Sequence, residues 1–154
     1  MKTTLCELLT TEQIIADMRS KDRWEAIEEM VGQLLLAGKI SEECRAPIVA
    51  AVRKRETSMS TGIGLGIGLP HAQSDLISTP LAVVGRSKPQ MNFDALDGQP
   101  VCLAILLVIP QGQYQKHLHT VANVASLFRS PDFRSALMQA GDAGQMLQII
   151  RERS

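Results

Sequence analysis

Apolar residues in the first third of the chain recur at steps of three or four, the spacing that places side chains on one face of a helix. This pattern predicts a helix that begins near Trp24 and ends at Gly38, where glycine suits a C-terminal stop. Its apolar positions are Trp24, Ile27, Val31, Leu34 and Leu35. A shorter helix is predicted before it, from Thr11, which can cap the first turn, to Met18.

A third helical pattern opens at Ser41 and runs to about Arg55. Its apolar stripe consists of Ile48, Val49 and Val52. Pro47 is awkward in a helix that begins at Glu42, because proline lacks a backbone N–H. We therefore expect either a kink or a later start near Ala46.

The middle of the chain predicts strands. Residues 81–85 are β-branched in part and short, whereas residues 101–109 are apolar throughout, which is typical of a strand buried on both faces. The dipeptide Asp97-Gly98 indicates a turn between them, and residues 110–112 should end the second strand.

The last third of the chain predicts three more helices. The first covers roughly residues 115–129, and the second opens at Ser130, a capping residue followed by proline, and runs towards Ala140. Gly141 closes that helix and Asp142 caps the last one. The apolar positions of the last helix are Met146, Leu147, Ile149 and Ile150. Helices, then strands, then helices predict a single-domain α/β or α+β sandwich around a sheet.

Composition places the chain among ordinary globular proteins. It has 154 residues, 45% hydrophobic and 21% charged, which suits one domain with a real core. Sixteen basic residues balance sixteen acidic ones, which argues against a nucleic-acid binder. The longest apolar run is too short to cross a bilayer. Three widely spaced cysteines fit idle thiols in a reducing compartment, so a soluble cytoplasmic protein is expected.

The segment 61–71, TGIGLGIGLPH, carries glycine at every second position and ends in a histidine. If it is extended, one face is apolar and the other is bare backbone, open to close approach at its N–H groups. Pro70 stiffens the end of the segment and His71 follows it, so a titratable nucleophile is presented there. The glycine spacing does not fit a dinucleotide fingerprint, and the P-loop lysine is missing.

Two further histidines stand in the helix predicted after residue 112. His117 is spaced at helical steps from Val121 and Val124, so it points inwards, whereas His119 aligns with Asn123 and points to water. An inward imidazole is most often a satisfied core residue. The pattern alone therefore leaves both interpretations of His117 open.

Other site chemistries have weaker support. Arg55 is either a solvated cation at a helix end or a fixed positive charge close in sequence to His71. A metal site of His71, His117 and a carboxylate has suitable ligand types but no short-spaced ligand pair. A hydrolase triad is weaker still, because Cys102 lies in a predicted buried strand and no serine sits in a nucleophile-elbow pattern.

A set of short motifs distributed along the chain resembles one family. The motifs are Arg55-Glu56, Ser60-Thr61-Gly62-Ile63-Gly64, Gly66-Ile67, Leu69-Pro70-His71-Ala72, Phe93-Asp94-Ala95, Asp97-Gly98, Pro100-Val101 and His117-Leu118. Together they resemble the enzyme IIA (EIIA) domain, fructose/mannitol type (type 2), of the phosphoenolpyruvate-dependent sugar phosphotransferase system (PTS). The likeness covers the whole chain, 1–154, as one such domain. One departure is Gly68, where the family often has alanine.

The resemblance implies a fold and a chemistry. The fold is a mixed sheet of about five strands flanked by helices on both sides. The chemistry is a phosphoryl relay that needs no metal or cofactor: His71 accepts a phosphoryl group from the phosphorylated histidine phosphocarrier protein and hands it to a cysteine of an EIIB partner. His117 matches the second active-site histidine, which orients the phosphohistidine. Arg55 matches the arginine that stabilises the phosphoryl charge.

The resemblance leaves the biological role open between two branches. A transport relay would feed a sugar permease, whereas a nitrogen-regulatory protein would use its phosphorylation state to control binding to regulatory targets. The short free-standing chain and the sequence H-L-H-T from His117 favour the second branch. A degenerate domain that keeps the fold and has lost phosphorylation is a third alternative. We expect a monomer or weak dimer, with no nucleic-acid partner and no membrane insertion.

Overall fold

A mixed sheet lies between two layers of helices in the computed structural model, which describes residues 4–153. The strands are β1 (Ile14–Ile15), β2 (Gly62–Gly64), β3 (Ile67–Gly68), β4 (His71–Ser74), β5 (Leu81–Met91) and β6 (Val101–Pro110). The helices are α1 (Arg23–Leu36), α2 (Glu42–Ser58), α3 (Tyr114–Phe128), α4 (Pro131–Gln139) and α5 (Ala143–Arg153). Two 3-10 turns, Leu5–Leu8 and Thr11–Gln13, precede β1.

The central strand is β6, the apolar run that the sequence predicts to be buried. Along one side β6 pairs antiparallel with β5, and along the other it pairs parallel first with β3 and then with β4. The sheet order within residues 4–153 is β1-β5-β6-β3-β2. The predicted mixed sheet is confirmed, with six strands where about five are expected. Because β3 and β4 lie end to end along β6, His71 is placed opposite Leu107, towards the end of the central strand.

Side chains of β6 alternate between two apolar cores, which is the period-two pattern of a strand buried on both faces. Ala104, Leu106 and Val108 join the core under α1 and α2. Leu103 and Ile105 join the core on the opposite face, where α3, α4 and α5 pack. Helices therefore flank the sheet on both sides, as predicted. No helix in the described part of the chain is long and apolar enough to span a bilayer.

The helix predicted from Thr11 to Met18 is wrong. Only a 3-10 turn forms at Thr11–Gln13, and the chain then pairs in parallel with β5 as β1. The buried Gln13 amide donates to the carbonyls of Leu8 and Ala82, which are both 2.9 Å away. These bonds and the β-branched pair in β1 favour a strand over a helix. The capping residue at the start of the segment gives no sign of such contacts.

Helix α2 opens after Ser41 as predicted, so the alternative of a later start is wrong, and it ends three residues beyond the predicted Arg55. It begins at Glu42, not near Ala46, and it continues to Ser58 with Pro47 inside it. The proline removes one hydrogen bond to the carbonyl of Glu43. Both residues are exposed, so water can satisfy that carbonyl, and the helix keeps its first turn.

The glycine segment is a hairpin rather than one extended stretch. Strands β2 and β3 pair antiparallel, and the turn between them contains Leu65 (φ 61°) and Gly66 (φ 79°). Positive φ at both central residues is the geometry of a type I′ turn. The expected close approach to the glycine face does occur, but the protein's own residues make it, so the face is not open: a Cβ on Gly68 would lie 2.5 Å from the Phe93 ring. This contact explains the small residue there.

Candidate active site

His71 is the first residue of β4 and is 9% exposed. Its position is fixed from the preceding residue, since the carbonyl of Pro70 accepts a hydrogen bond from the backbone N–H of Leu107 (3.1 Å). The imidazole therefore stands at the edge of a buried strand and not on a mobile loop. A site on a rigid element holds its geometry better than one on a loop.

The ring of His71 has a defined orientation. Its Nδ1 lies 2.8 Å from the carbonyl oxygen of Leu69. Because a carbonyl can only accept, Nδ1 must carry the proton in this contact, and the neutral ring then has its lone pair on Nε2. The geometry therefore assigns the nucleophilic nitrogen to Nε2.

The pKa of His71 is lowered below its ordinary value of 6.5, chiefly because burial disfavours the charged ring. The hydrogen bond to the Leu69 carbonyl opposes this shift, the charge of Arg55 adds to it, and the charge of Glu56 opposes it. The ring is consequently neutral near pH 7, which is the nucleophilic form.

A cavity of about 590 Å³ opens beside His71. Its lining residues are Ala51, Lys54, Arg55, Ser58, His71, Ala72, Gln73, Gln111 and Tyr114. Lys54 and Arg55 come from the last turns of α2 and are exposed, so two cations face the opening. A cationic cavity beside a neutral nucleophile suits an anionic electrophile.

Tyr114 is a site residue that sequence reasoning missed. Its ring lies nearly parallel to that of His71, with the centroids 6.4 Å apart and an interplanar angle of 20°. Tyr114 begins α3 and stands three residues before His117, so the two share a helical face. That spacing was the available signal, because an aromatic residue on the same face as a candidate histidine is placed to reach the same site.

His117 points inwards, as predicted, and is 6% exposed, whereas His119 is exposed. Its Nε2 lies 3.4 Å from Oε1 of Gln113. Its pKa is lowered, mainly by burial and then by the charge of Lys116. His117 is not among the residues that line the cavity within the described chain, where α3 contributes Tyr114 instead. Its orienting role stays a prediction.

The alternative site chemistries find no supporting geometry. Among residues 4–153 no group of three or more His, Cys, Asp or Glu side chains is arranged to hold a metal ion. Cys102 is half-buried at the start of β6, and burial raises the pKa of its thiol. A thiol held in its protonated form is a poor nucleophile.

Comparison with known proteins places the chain in a family. The profile of the family described as "Phosphoenolpyruvate-dependent sugar phosphotransferase system, EIIA 2" matches residues 7–153. The chain belongs to this family. EIIA domains are phosphotransferase components, so the chain has the fold and lineage of a phosphocarrier, and the resemblance stated from the motifs is confirmed.

Curated relatives carry names from both branches of the family. The chain is similar to a "PTS system fructose-specific EIIABC component" of Bacillus subtilis, with 34% identity over 148 residues. That match covers 96% of this chain but only 23% of the relative's length. A "Nitrogen regulatory protein" of Bradyrhizobium diazoefficiens is 24% identical over 146 residues, which cover 95% of this chain and 94% of the relative.

Solved structures confirm the fold. The nitrogen regulatory protein IIA-Ntr of Neisseria meningitidis superposes with a TM-score of 0.85 at 27% identity, covering 95% of this chain and 98% of that one. The IIA mannitol enzyme of Escherichia coli, in its complex with phosphorylated IIB, gives 0.77 at 18% identity over 94% and 98% of the two chains. At that identity the likeness concerns the fold alone.

Proposed function

We propose that this protein is a histidine phosphocarrier in which Nε2 of His71 accepts a phosphoryl group from the phosphorylated histidine phosphocarrier protein. The group then passes to a cysteine of an EIIB partner or serves as a regulatory signal. The observation that carries the proposal is the bond between Nδ1 of His71 and the Leu69 carbonyl, which leaves the Nε2 lone pair free. Family membership supplies the reaction class.

The transfer needs neither a cofactor nor a free proton. The Nε2 lone pair of His71 attacks the phosphorus of the donor's phosphoimidazole, and the P–N bond to the donor breaks as the new P–N bond forms. The departing donor imidazole takes the electron pair of the broken bond. Since Nδ1 of His71 keeps its proton on the Leu69 carbonyl, the ring orientation is the same before and after transfer. Such transfers depend mainly on in-line positioning and charge stabilisation.

Two cations and one imidazole are proposed to receive the phosphoryl charge. A bound phosphoryl group adds about two negative charges near pH 7. Arg55 lies close enough to His71 to lower its pKa, and Lys54 lines the same cavity. We assign charge stabilisation to Arg55 and orientation of the phosphohistidine to His117, which is buried on the helical face of Tyr114.

The proposal is tested by incubating the protein with labelled phosphoenolpyruvate, the first enzyme of the system and the histidine phosphocarrier protein. We expect a label that is labile in acid and stable in alkali, absent in His71→Ala and unchanged in the exposed control His119→Ala. His117→Ala should accept the label but transfer it poorly to EIIB. An unlabelled wild type would contradict the proposal and leave a degenerate domain, and a wild-type transfer rate in His117→Ala would remove its orienting role.

A regulatory use of the same phosphorylation is the second candidate. The observation in its favour is the superposition on the nitrogen regulatory protein IIA-Ntr of Neisseria meningitidis, which has a TM-score of 0.85 at 27% identity. The branches separate by the partners that bind the phosphorylated and unphosphorylated forms. A sugar-specific EIIB that receives the label indicates transport, whereas a non-sugar target retained by one form only indicates regulation.

A further inference from the structure

A buried carboxylate lies one residue beyond Arg55 and takes no part in the chemistry above. Glu56 is 1% exposed, and its two oxygens accept three hydrogen bonds. The backbone N–H of Thr61 donates to Oε2 at 2.8 Å and its hydroxyl donates to Oε1 at 2.5 Å. Arg23 donates to Oε2 at 3.2 Å. A buried carboxylate with its acceptors occupied by charged and polar donors is a rigid anchor.

The residue held by this anchor leads directly towards the active site. The carbonyl of Thr61 accepts a hydrogen bond from the backbone N–H of Leu69 at 3.0 Å. The carbonyl of Leu69 is the group that accepts from Nδ1 of His71 at 2.8 Å. An unbroken series of contacts therefore runs from Glu56 through Thr61 and Leu69 to the imidazole.

The Leu69 carbonyl has few other means of support. It belongs to the peptide bond with Pro70, whose nitrogen has no hydrogen to donate. On its C-terminal side, the carbonyl of Pro70 is held in place by a hydrogen bond from the N–H of Leu107. On its N-terminal side, the backbone N–H of Leu69 donates a hydrogen bond to the carbonyl of Thr61. The buried side chain of Leu69 also holds this residue, and loosening Thr61 would weaken the hydrogen bond that fixes its backbone N–H.

We propose that Glu56 and Thr61 form a positioning pair that holds the Leu69 carbonyl on Nδ1 of His71 and thereby keeps the Nε2 lone pair available. This inference rests on the proposed function of His71. It gives the two residues of the Arg55-Glu56 motif different tasks. Arg55 faces the cavity and the incoming charge, whereas Glu56 faces inwards and acts through the backbone.

The pair predicts a spectroscopic signature that loss of stability alone would not produce. A neutral imidazole carries its proton on one of two nitrogens, and the hydrogen bond at one nitrogen decides which. At about pH 8, where the ring is neutral, ¹⁵N shifts should show Nδ1 of His71 protonated and Nε2 bare. Thr61→Val removes the hydroxyl but keeps the shape, so both nitrogens should move to averaged shifts that indicate a mixture of tautomers.

The same variants are compared in phosphoryl acceptance. We expect Thr61→Val to slow acceptance by about ten- to a hundredfold, the size typical of a small misplacement of a reacting group. Thr61→Ser restores the hydroxyl and should return both the shifts and the rate to nearly wild-type values. The matched control is Thr57→Val, which removes an exposed hydroxyl from α2, the helix that carries Glu56; this hydroxyl donates to the carbonyl of Arg53. It should change neither readout.

A second variant keeps the test valid if Thr61→Val does not fold. Glu56→Gln replaces one acceptor oxygen with an amide, so one of the two Thr61 donors loses its partner, and it should produce the same mixture of tautomers. Folded variants with a wild-type tautomer and a wild-type rate would overturn the positioning pair while leaving the phosphocarrier proposal intact. A wild type that takes no phosphate, combined with shifted tautomers in the variants, would overturn the phosphocarrier proposal and support the pair.

Discussion

At the scale of single residues, the imidazoles of His71 and His117 are both buried and both have a lowered pKa. The unfolded chain binds a proton at the ordinary value of 6.5, whereas the folded protein binds it only at a lower pH. Between those values the unfolded state carries more protons. The contribution of these two rings to the free energy of unfolding therefore falls as the pH drops below 6.5.

The direction of this pH dependence can be measured by denaturant unfolding between about pH 7.5 and 5.5. We expect the wild type to lose stability across this range and the double variant His71→Gln/His117→Gln to lose less. His119→Gln, at an exposed position, serves as the control and should follow the wild type. A double variant with the wild-type slope would show that neither ring is held neutral by burial.

Arg55 is exposed, so substituting it should affect function without a large effect on stability. Arg55→Ala should change the free energy of unfolding by less than about 0.5 kcal/mol. It should shorten the lifetime of the phosphorylated form by about two- to fivefold, the effect of losing one partly screened charge. The control is Arg53→Ala, whose guanidinium lies over the Trp24 ring, 5.2 Å from its centroid. Equal lifetimes of the phosphorylated form in wild type and Arg55→Ala would contradict the proposed role of Arg55 in charge stabilisation.

At the scale of elements, the turn of the β2–β3 hairpin carries strain. Leu65 has φ 61° and is 54% exposed. A left-handed backbone costs a side chain such as leucine about 1 kcal/mol, whereas asparagine tolerates it and Asn-Gly suits a type I′ turn.

Leu65→Asn should accordingly raise the free energy of unfolding by about 0.5–1 kcal/mol, measured in urea. Leu96→Asn removes another exposed leucine, at a position without positive φ, and should change stability by less than about 0.5 kcal/mol. If both variants stabilise the protein equally, exposed apolar area and not backbone strain is responsible.

The elements also show what the sequence could and could not predict. Helix α1 and strand β6 follow from apolar periodicity, because their burial depends on the side chains of the element itself. Strand β1 could not be predicted in that way, since the contacts of Gln13 with Ala82 join residues far apart in sequence. The β2–β3 hairpin was missed because its turn carries Leu65-Gly66, whereas the usual sequence signal of a type I′ turn is Asn-Gly or Asp-Gly.

The site shows the same division. His71 and Arg55 were identified from motifs and do line one cavity. Tyr114 and the series of contacts from Glu56 to His71 were missed, because they depend on the relative placement of α2, β4 and α3. The orientation of the imidazole, which decides the reactive nitrogen, is a property of the folded chain alone.

At the scale of the whole molecule, a buried arginine connects the sheet to the helical layer. Arg86 of β5 is 1% exposed and donates to the carbonyls of Ala16 and Leu137, both at 2.9 Å, and to that of Ala140. These acceptors include the C-terminal end of α4, where a cation is favoured by the helix dipole. The cation therefore supplies a donor to the buried carbonyl of Leu137 and to two partly buried carbonyls.

Arg86→Leu should lower the free energy of unfolding by about 2 kcal/mol, because one buried and two partly buried carbonyls lose their donor. The matched control is Lys88→Leu, an exposed cation on the same strand, which should stay within about 0.5 kcal/mol. The folded fraction of Arg86→Leu should still accept the phosphoryl label. Equal stability of the two variants would show that Arg86 is not needed to join the two layers.

The most direct test of the central claim is to locate the phosphoryl group by NMR in uniformly ¹⁵N-labelled, enzymatically phosphorylated protein. The account predicts a ³¹P–¹⁵N coupling to Nε2 of His71, with Nδ1 still protonated on the Leu69 carbonyl. A phosphoryl group on Nδ1 of His71, on His117 or on no histidine would contradict it.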